Sequence, residues 1–80
     1  MIMTDIYVAA LDKTYDFRLS EDAQISAILD EIAGILAREV MEQLPKGQFA
    51  LCSYENASIL PADSTLRECG IGNGSRLLFV

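Results

Sequence analysis

The side chains that could carry out chemistry in this chain are two cysteines and a set of carboxylates, because the sequence contains no histidine. A serine or cysteine nucleophile would therefore lack its usual base. Cys52 and Cys69 do not match any zinc-binding spacing, and nothing basic adjoins Cys52 to activate its thiol. The sequence therefore predicts no catalytic residue, no metal site and no cofactor. Cys69 is expected to be a small, buried or half-buried residue beside Leu66.

Two pairs of acidic residues are adjacent in sequence, Glu21 with Asp22 and Asp30 with Glu31. Neighbouring positions on a helix do not face a common point, so neither pair forms a two-carboxylate catalytic site. Charges on the solvent side of a helix are the better interpretation. Asp22 has the residue type and position expected for a helix cap.

Three glycines alternate near the end of the chain, at Gly70, Gly72 and Gly74. They superficially suggest a phosphate-binding loop. However, they precede a strand instead of opening a helix, and no lysine follows them. The pattern therefore favours tight turns, which need residues that tolerate a positive φ.

The composition predicts one domain covering residues 1–80 and limits its partners. Hydrophobic residues make up 51% of the 80 positions, and six Lys/Arg face twelve Asp/Glu for a net charge of -6. This balance argues against nucleic acid or an anionic membrane as a partner. The excess of acid serves either solubility or an acidic face that meets a basic protein. Without a secretion signal or a membrane-length apolar run, the expected location is the cytoplasm, with no direct membrane insertion.

The element around which the chain is organised is a helix predicted from Ile25 to Leu44. Its apolar residues recur at helical spacing on one stripe, which must cover an apolar surface. The stripe consists of Ile25, Ile28, Leu29, Ile32 and Leu36. The segment Pro45–Gly47 is expected to stop the helix.

Alternating apolar and polar residues predict strands on both sides of the helix. A hairpin is expected from Ile2–Ala10 and Tyr15–Leu19, joined by a polar turn at Asp12–Thr14. After the helix, the predicted elements are a strand at Gln48–Tyr54, a very short strand at Ser58–Leu60, a single helical turn at Ser64–Cys69 and a last strand at Arg76–Val80.

This order of elements, together with specific residues, resembles the ubiquitin-like domains. The matching core positions are Phe17, Leu19, Ile25, Ile28, Ile32, Leu60, Leu66, Gly70, Ile71, Leu77 and Phe79. The run from Cys69 to Leu77 further resembles the small YukD/EsaB family encoded with bacterial type VII secretion systems, with Ser75 in place of the usual acid. The resemblance implies an α+β, β-grasp fold: a mixed sheet of four to five strands with one helix packed across one face.

The resemblance also implies a function. The first hypothesis is a non-conjugating, ubiquitin-like accessory protein that binds protein components of a type VII secretion system. Conjugating relatives use a thin, mobile Gly-Gly tail, whereas this chain finishes in the bulky run Leu77–Val80. The alternatives are a small β-grasp auxiliary subunit of a multicomponent enzyme, such as a diiron monooxygenase, and a sulfur carrier or modifier.

The open face of the predicted sheet, opposite the helix, is the expected protein-binding surface. In ubiquitin the corresponding face carries the apolar patch that most partners contact. Alternation places five residues there, namely Tyr7, Ala9, Cys52, Leu78 and Val80. A contiguous patch of these residues would be a binding site, whereas scattered ones would be ordinary surface. A weak homo-oligomer is a further option for this chain.

Overall fold

The computed structural model describes residues 1–40, 49–55 and 58–80. Within these residues the chain forms β1 (Ile2–Val8), β2 (Lys13–Leu19), α1 (Ile25–Val40), β3 (Leu51–Ser53) and β4 (Ser75–Phe79). The strand order in the sheet is β2-β1-β4-β3. β1 pairs antiparallel with β2 and parallel with β4, and β3 pairs antiparallel with β4. The sheet is therefore mixed, which confirms the predicted α+β, β-grasp arrangement.

The hairpin of β1 and β2 forms as expected, but its turn comes earlier than predicted. β1 ends at Val8, and Lys13 and Thr14 already belong to β2. The N–H of Leu11 donates to the carbonyl of Val8 at 3.1 Å, and Asp12 has a φ of 50°. Aspartate tolerates this left-handed conformation better than most residues, because its short polar side chain can bond locally.

The helix α1 covers the sheet with the predicted stripe. Ile25, Ile28, Ile32 and Leu36 are buried, and Leu29 is half-buried beside them. Asp30 and Glu31 are exposed on the outer side, as their positions predicted. The predicted extension to Leu44 and the stop at Pro45–Gly47 lie outside the described residues.

The start of α1 differs from the prediction, because Asp22 does not cap it. The helix begins at Ile25, whose N–H donates to the carbonyl of Ser64 at 2.8 Å, and the N–H of Ser26 donates to the carbonyl of Ala62 at 3.0 Å. Asp22 instead accepts a hydrogen bond from Arg67 at 2.7 Å. Backbone carbonyls of a distant loop therefore satisfy donors that a local side chain was expected to satisfy.

The segments between β3 and β4 complete the core. Ile59 forms a single bridge with Cys52, so the predicted strand at Ser58–Leu60 reduces to one pair of residues. The predicted helical turn at Ser64–Cys69 is a hydrogen-bonded turn, in which the N–H of Cys69 donates to the carbonyl of Thr65 at 3.1 Å. Leu66 is fully buried at its centre, as predicted. β4 then begins one residue before the predicted start and ends at Phe79, one residue before the predicted end.

Candidate protein-binding surface

An apolar row crosses the open face of the sheet from β1 to the segment beyond β3. Tyr7 pairs with Leu78, Leu78 pairs with Cys52, and Cys52 pairs with Ile59. Residues directly opposite each other on paired strands project from the same face. Tyr7, Leu78, Cys52 and Ile59 therefore form one line across the strands, and these four residues are called the apolar row below.

Members of the apolar row differ in exposure. Tyr7 and Leu78 are half-buried, whereas Ile59 is 69% exposed. Cys52 was expected to offer open surface, but it is only 8% exposed. The physical reason is its position in the line, because Leu78 and Ile59 lie on either side of it. Cys52 thus lies beneath the surface of the row, between Leu78 and Ile59, and offers little contact area of its own.

The other two predicted surface residues lie just beyond the ends of their strands. Ala9 is exposed and follows β1, and its N–H donates to the carbonyl of Phe79 at 3.2 Å. Val80 follows β4 and is 48% exposed. The N–H of Val80 donates to the carbonyl of Ala50 at 3.0 Å, and the N–H of Ala50 donates to the carbonyl of Val80. Both residues are exposed near the apolar row without belonging to it.

A charged line runs alongside the apolar row. Asp5 pairs with Asp16 on one side and with Arg76 on the other. All three side chains are exposed. The pKa of Asp16 is raised, chiefly by a hydrogen bond to the Asp5 carboxylate and then by the repulsion between the two charges. Like charges directly opposite each other destabilise a strand pair, so this acidic pair works against the fold.

An open groove lies between the charged line and the apolar row, with a volume of about 560 Å³. Residues from both lines form its walls, and Tyr54 adds an exposed aromatic ring at the β3 end. The lining residues are Asp5, Tyr7, Thr14, Tyr54, Arg76, Leu77 and Leu78. The groove therefore offers apolar and charged contacts to the same ligand.

Tyr7 is fixed in this groove by its hydroxyl group, which donates a hydrogen bond to the carboxylate of Asp12. This bond and the nearby negative charge raise the pKa of Tyr7. The hydrogen bond to Asp12 gives the phenol ring a defined position. A pre-positioned aromatic ring is a favourable contact for a protein partner, since it loses little conformational freedom on binding.

The glycine segment has the turn role predicted for it. Gly70 and Gly74 have φ values of 75° and 82°, in the region that favours glycine. The N–H of Gly74 donates to the carbonyl of Met3 at 2.8 Å, and the N–H of Met3 donates to the side chain of Asn73 at 2.8 Å. The segment thus ties the start of β4 to β1 and so sets their parallel register.

The remaining chemistry is sparse in the part of the chain that the structure describes. Cys52 and Cys69 are free thiols, with Cys69 half-buried against the core as expected. Residues 1–40, 49–55 and 58–80 contain no group of three or more side chains placed to hold a metal ion. Among the same residues, no helix is both long enough and apolar enough to cross a membrane.

Comparison with protein families decides what kind of ubiquitin-like domain this is. Residues 3–78 match the model of the family described as "WXG100 protein secretion system (Wss), protein YukD". The chain belongs to the YukD family. This match covers nearly the whole β-grasp domain and confirms the resemblance carried by the run from Cys69 to Leu77. It associates the chain with the WXG100, or type VII, secretion systems.

Several solved structures share this fold. The EccD5 ubiquitin-like domain from Mycobacterium xenopi has a TM-score of 0.78 and 23% identity, covering 99% of this chain and 91% of that chain. Caldiarchaeum subterraneum ubiquitin has a TM-score of 0.76 and 15% identity, with coverage of 98% and 89%. A chain of the MycP5-free ESX-5 inner membrane complex has a TM-score of 0.76 and 22% identity, with coverage of 99% and 20%. No curated protein matches the sequence.

Some residues of the surface were not found from the sequence. Ile59 and Tyr54 extend the apolar surface, and Asp5 with Asp16 forms the acidic pair. Period-two alternation could have placed Tyr54 on the same face as Cys52. The contact of Ile59 with β3 and the juxtaposition of the two aspartates depend on strand pairing, which a local pattern does not encode.

Proposed function

We propose that this protein is a cytoplasmic, non-catalytic adaptor of a type VII secretion system. It binds a protein component of the secretion machinery through the open face of its sheet, and it requires no cofactor. The proposed contact surface contains the five residues expected from the sequence, Tyr7, Ala9, Cys52, Leu78 and Val80. Cys52 contributes mainly by supporting its neighbours.

The observation that carries this proposal is the apolar row on the open face of a YukD-family domain. The helix α1 already covers the other face, so only the open face can offer apolar area without unfolding. Tyr7 and Leu78 are adjacent at the centre of this face. Interface energy tends to concentrate in a few central residues, among which tyrosine is favoured.

The test is capture of purified secretion components encoded in the same locus, using variants of the open face. Leu78→Asp should abolish capture, because an unpaired carboxylate in a desolvated apolar contact costs several kcal/mol, about 2–7 for polar groups in general. Thermal unfolding of the variant must show a cooperative transition, because Leu78 is half-buried.

Two variants of the helix surface are the controls. Ala27→Asp adds the same charge as Leu78→Asp at an exposed position of α1, and Glu31→Lys changes the acidic outer side of the helix. Both should retain capture. Loss of capture with Glu31→Lys but not with Leu78→Asp would place the contact on the helix and contradict the proposed surface.

A further inference from the structure

The spacing of the apolar row indicates the shape of a partner. Adjacent strands of a sheet lie about 4.8 Å apart, so successive side chains of the row are separated by that step and span about 14 Å in total. Same-face side chains of an extended peptide repeat at about 6.8 Å. One turn of an α-helix rises about 5.4 Å. A helix lying across the strands therefore matches the row more closely than an extended segment does.

The charged line beside the row indicates the charge of this partner. Arg76 and Arg18 lie on the open face, yet in the described part of the chain no ion pair joins either one to Asp5 or Asp16. Asp5 and Asp16 therefore lie directly opposite each other with like charge, and no ion pair among the described residues engages either carboxylate. A basic side chain on the flank of the bound helix would provide a cation to relieve their repulsion. Arg76 lies next to Asp5 on the charged line. At the corresponding position of the bound helix, Arg76 favours an acidic or uncharged side chain.

A second copy of the chain fits this surface poorly. The exposed side of α1 presents Asp30 and Glu31, which would meet the acidic pair with like charge. Contact between two open faces would join two copies of a protein whose net charge is already -6. Charge complementarity therefore favours a different molecule over self-association.

We propose that the open face binds an amphipathic helix of a partner protein, lying across the strands. Its apolar stripe contacts Tyr7, Leu78 and Ile59, and a basic side chain on its flank contacts Asp5 and Asp16. The inference rests on the proposed function, to which it adds the structural class and charge of the partner segment.

The test uses labelled synthetic peptides, so it does not depend on any secretion component. The first peptide is a four-turn amphipathic helix with leucines one turn apart and, on one flank, an arginine followed one turn later by a glutamate. The second has the arginine and glutamate exchanged. The third has the same composition arranged with period two, so that it is amphipathic only as a strand. Fluorescence anisotropy measures the affinity of each peptide.

The first peptide should bind at least about tenfold more tightly than either of the others, a difference of about 1.4 kcal/mol. Ile59→Asp should weaken its binding by a similar factor, whereas Ala27→Asp, with the same added charge on the helix, should not. Asp16→Lys should also weaken binding, and Asp30→Lys is its charge-matched control. Amide chemical shifts should move along the apolar row.

Each of the following outcomes would overturn the inference. Tighter binding of the period-two peptide would make the occupant a strand. If the two helical peptides bind equally well, the acidic pair does not contribute to binding. The same conclusion follows if Asp16→Lys and Asp30→Lys weaken peptide binding equally. If sedimentation shows a dimer and Ile59→Asp dissociates it, the occupant of the open face is a second copy of the chain. If no peptide binds while capture of secretion components still depends on Leu78, the proposed function stands. In that case only the inference that the bound segment is a helix is wrong.

Discussion

At the scale of single residues, neighbours in sequence have opposite environments because the helix turns one of them into the core. Ile32 is fully buried, and Glu31 beside it is exposed. Truncating a buried isoleucine removes its transfer free energy and leaves a cavity, whereas truncating an exposed glutamate does neither. The sequence periodicity alone predicted this contrast.

Ile32→Ala should lower the free energy of unfolding by about 2–5 kcal/mol. Ile28→Ala should have a comparable effect, since Ile28 lies on the same buried stripe. Glu31→Ala and Asp30→Ala should change the urea midpoint little. If all four variants unfold at the same urea concentration, the helix does not pack on the sheet through this stripe.

Asp16→Asn should raise the melting temperature at neutral pH, because it removes the repulsion between Asp16 and Asp5. The raised pKa of Asp16 means that the folded state holds the proton of this carboxyl more tightly than the unfolded state does. The stabilisation that comes from protonated Asp16 is fully present below the pKa of Asp16 in the unfolded state. It is lost as the pH rises through the pKa of Asp16 in the folded state. The advantage of Asp16→Asn should therefore shrink at acidic pH.

Thermal unfolding at several pH values checks this expectation, with Asp30→Asn on the outer side of α1 as the control. A melting temperature for Asp16→Asn that is equal to or below that of the original chain at neutral pH would contradict it. Such a result would mean that the acidic pair does not destabilise the isolated domain.

At the scale of elements, short loops set the positions of the strands and of the helix. The turn at Asn73 and Gly74 fastens β4 to β1, and the backbone of residues 62–64 accepts hydrogen bonds from the start of α1. Arg67 adds an ion pair to Asp22 from the same region and lowers the pKa of that carboxyl through its hydrogen bond. The connection between β3 and β4 thus positions both layers.

Gly74→Ala should destabilise the domain by about 1–2 kcal/mol, the cost of a left-handed conformation in a residue with a Cβ. The added methyl group would meet no atom within 4 Å, so the cost comes from the backbone conformation, with a φ of 82°. Gly72→Ala is the matched control, because its site is equally open and its φ lies outside that region. Urea unfolding should separate the two variants, and equal midpoints would contradict this account.

At the scale of the whole molecule, one helix covers one face of the sheet and leaves the other face open. The parallel pairing of β1 with β4 places Tyr7 beside Leu78 at the centre of that open face. Sequence and tertiary structure agree on this division into a covered face and an open face. The proposed adaptor function depends on it.

The sequence by itself determined the features that depend on local order. The buried stripe of α1, the alternation of the strands, the turn role of the glycines and the YukD-family resemblance all follow from residue types at short, fixed spacings. These patterns also identified Tyr7 and Leu78 as outward-facing residues of their strands. Helical and strand periodicities are properties of consecutive residues, so no knowledge of distant contacts was needed.

Only the tertiary structure decided which distant residues meet. The strand order β2-β1-β4-β3 creates the apolar row, buries Cys52 between Leu78 and Ile59, and places Asp5 against Asp16. In the folded chain Asp22 also pairs with Arg67 instead of capping the helix. A period-two pattern states which face a side chain occupies, but the partner across the sheet depends on pairing and register between segments far apart in sequence.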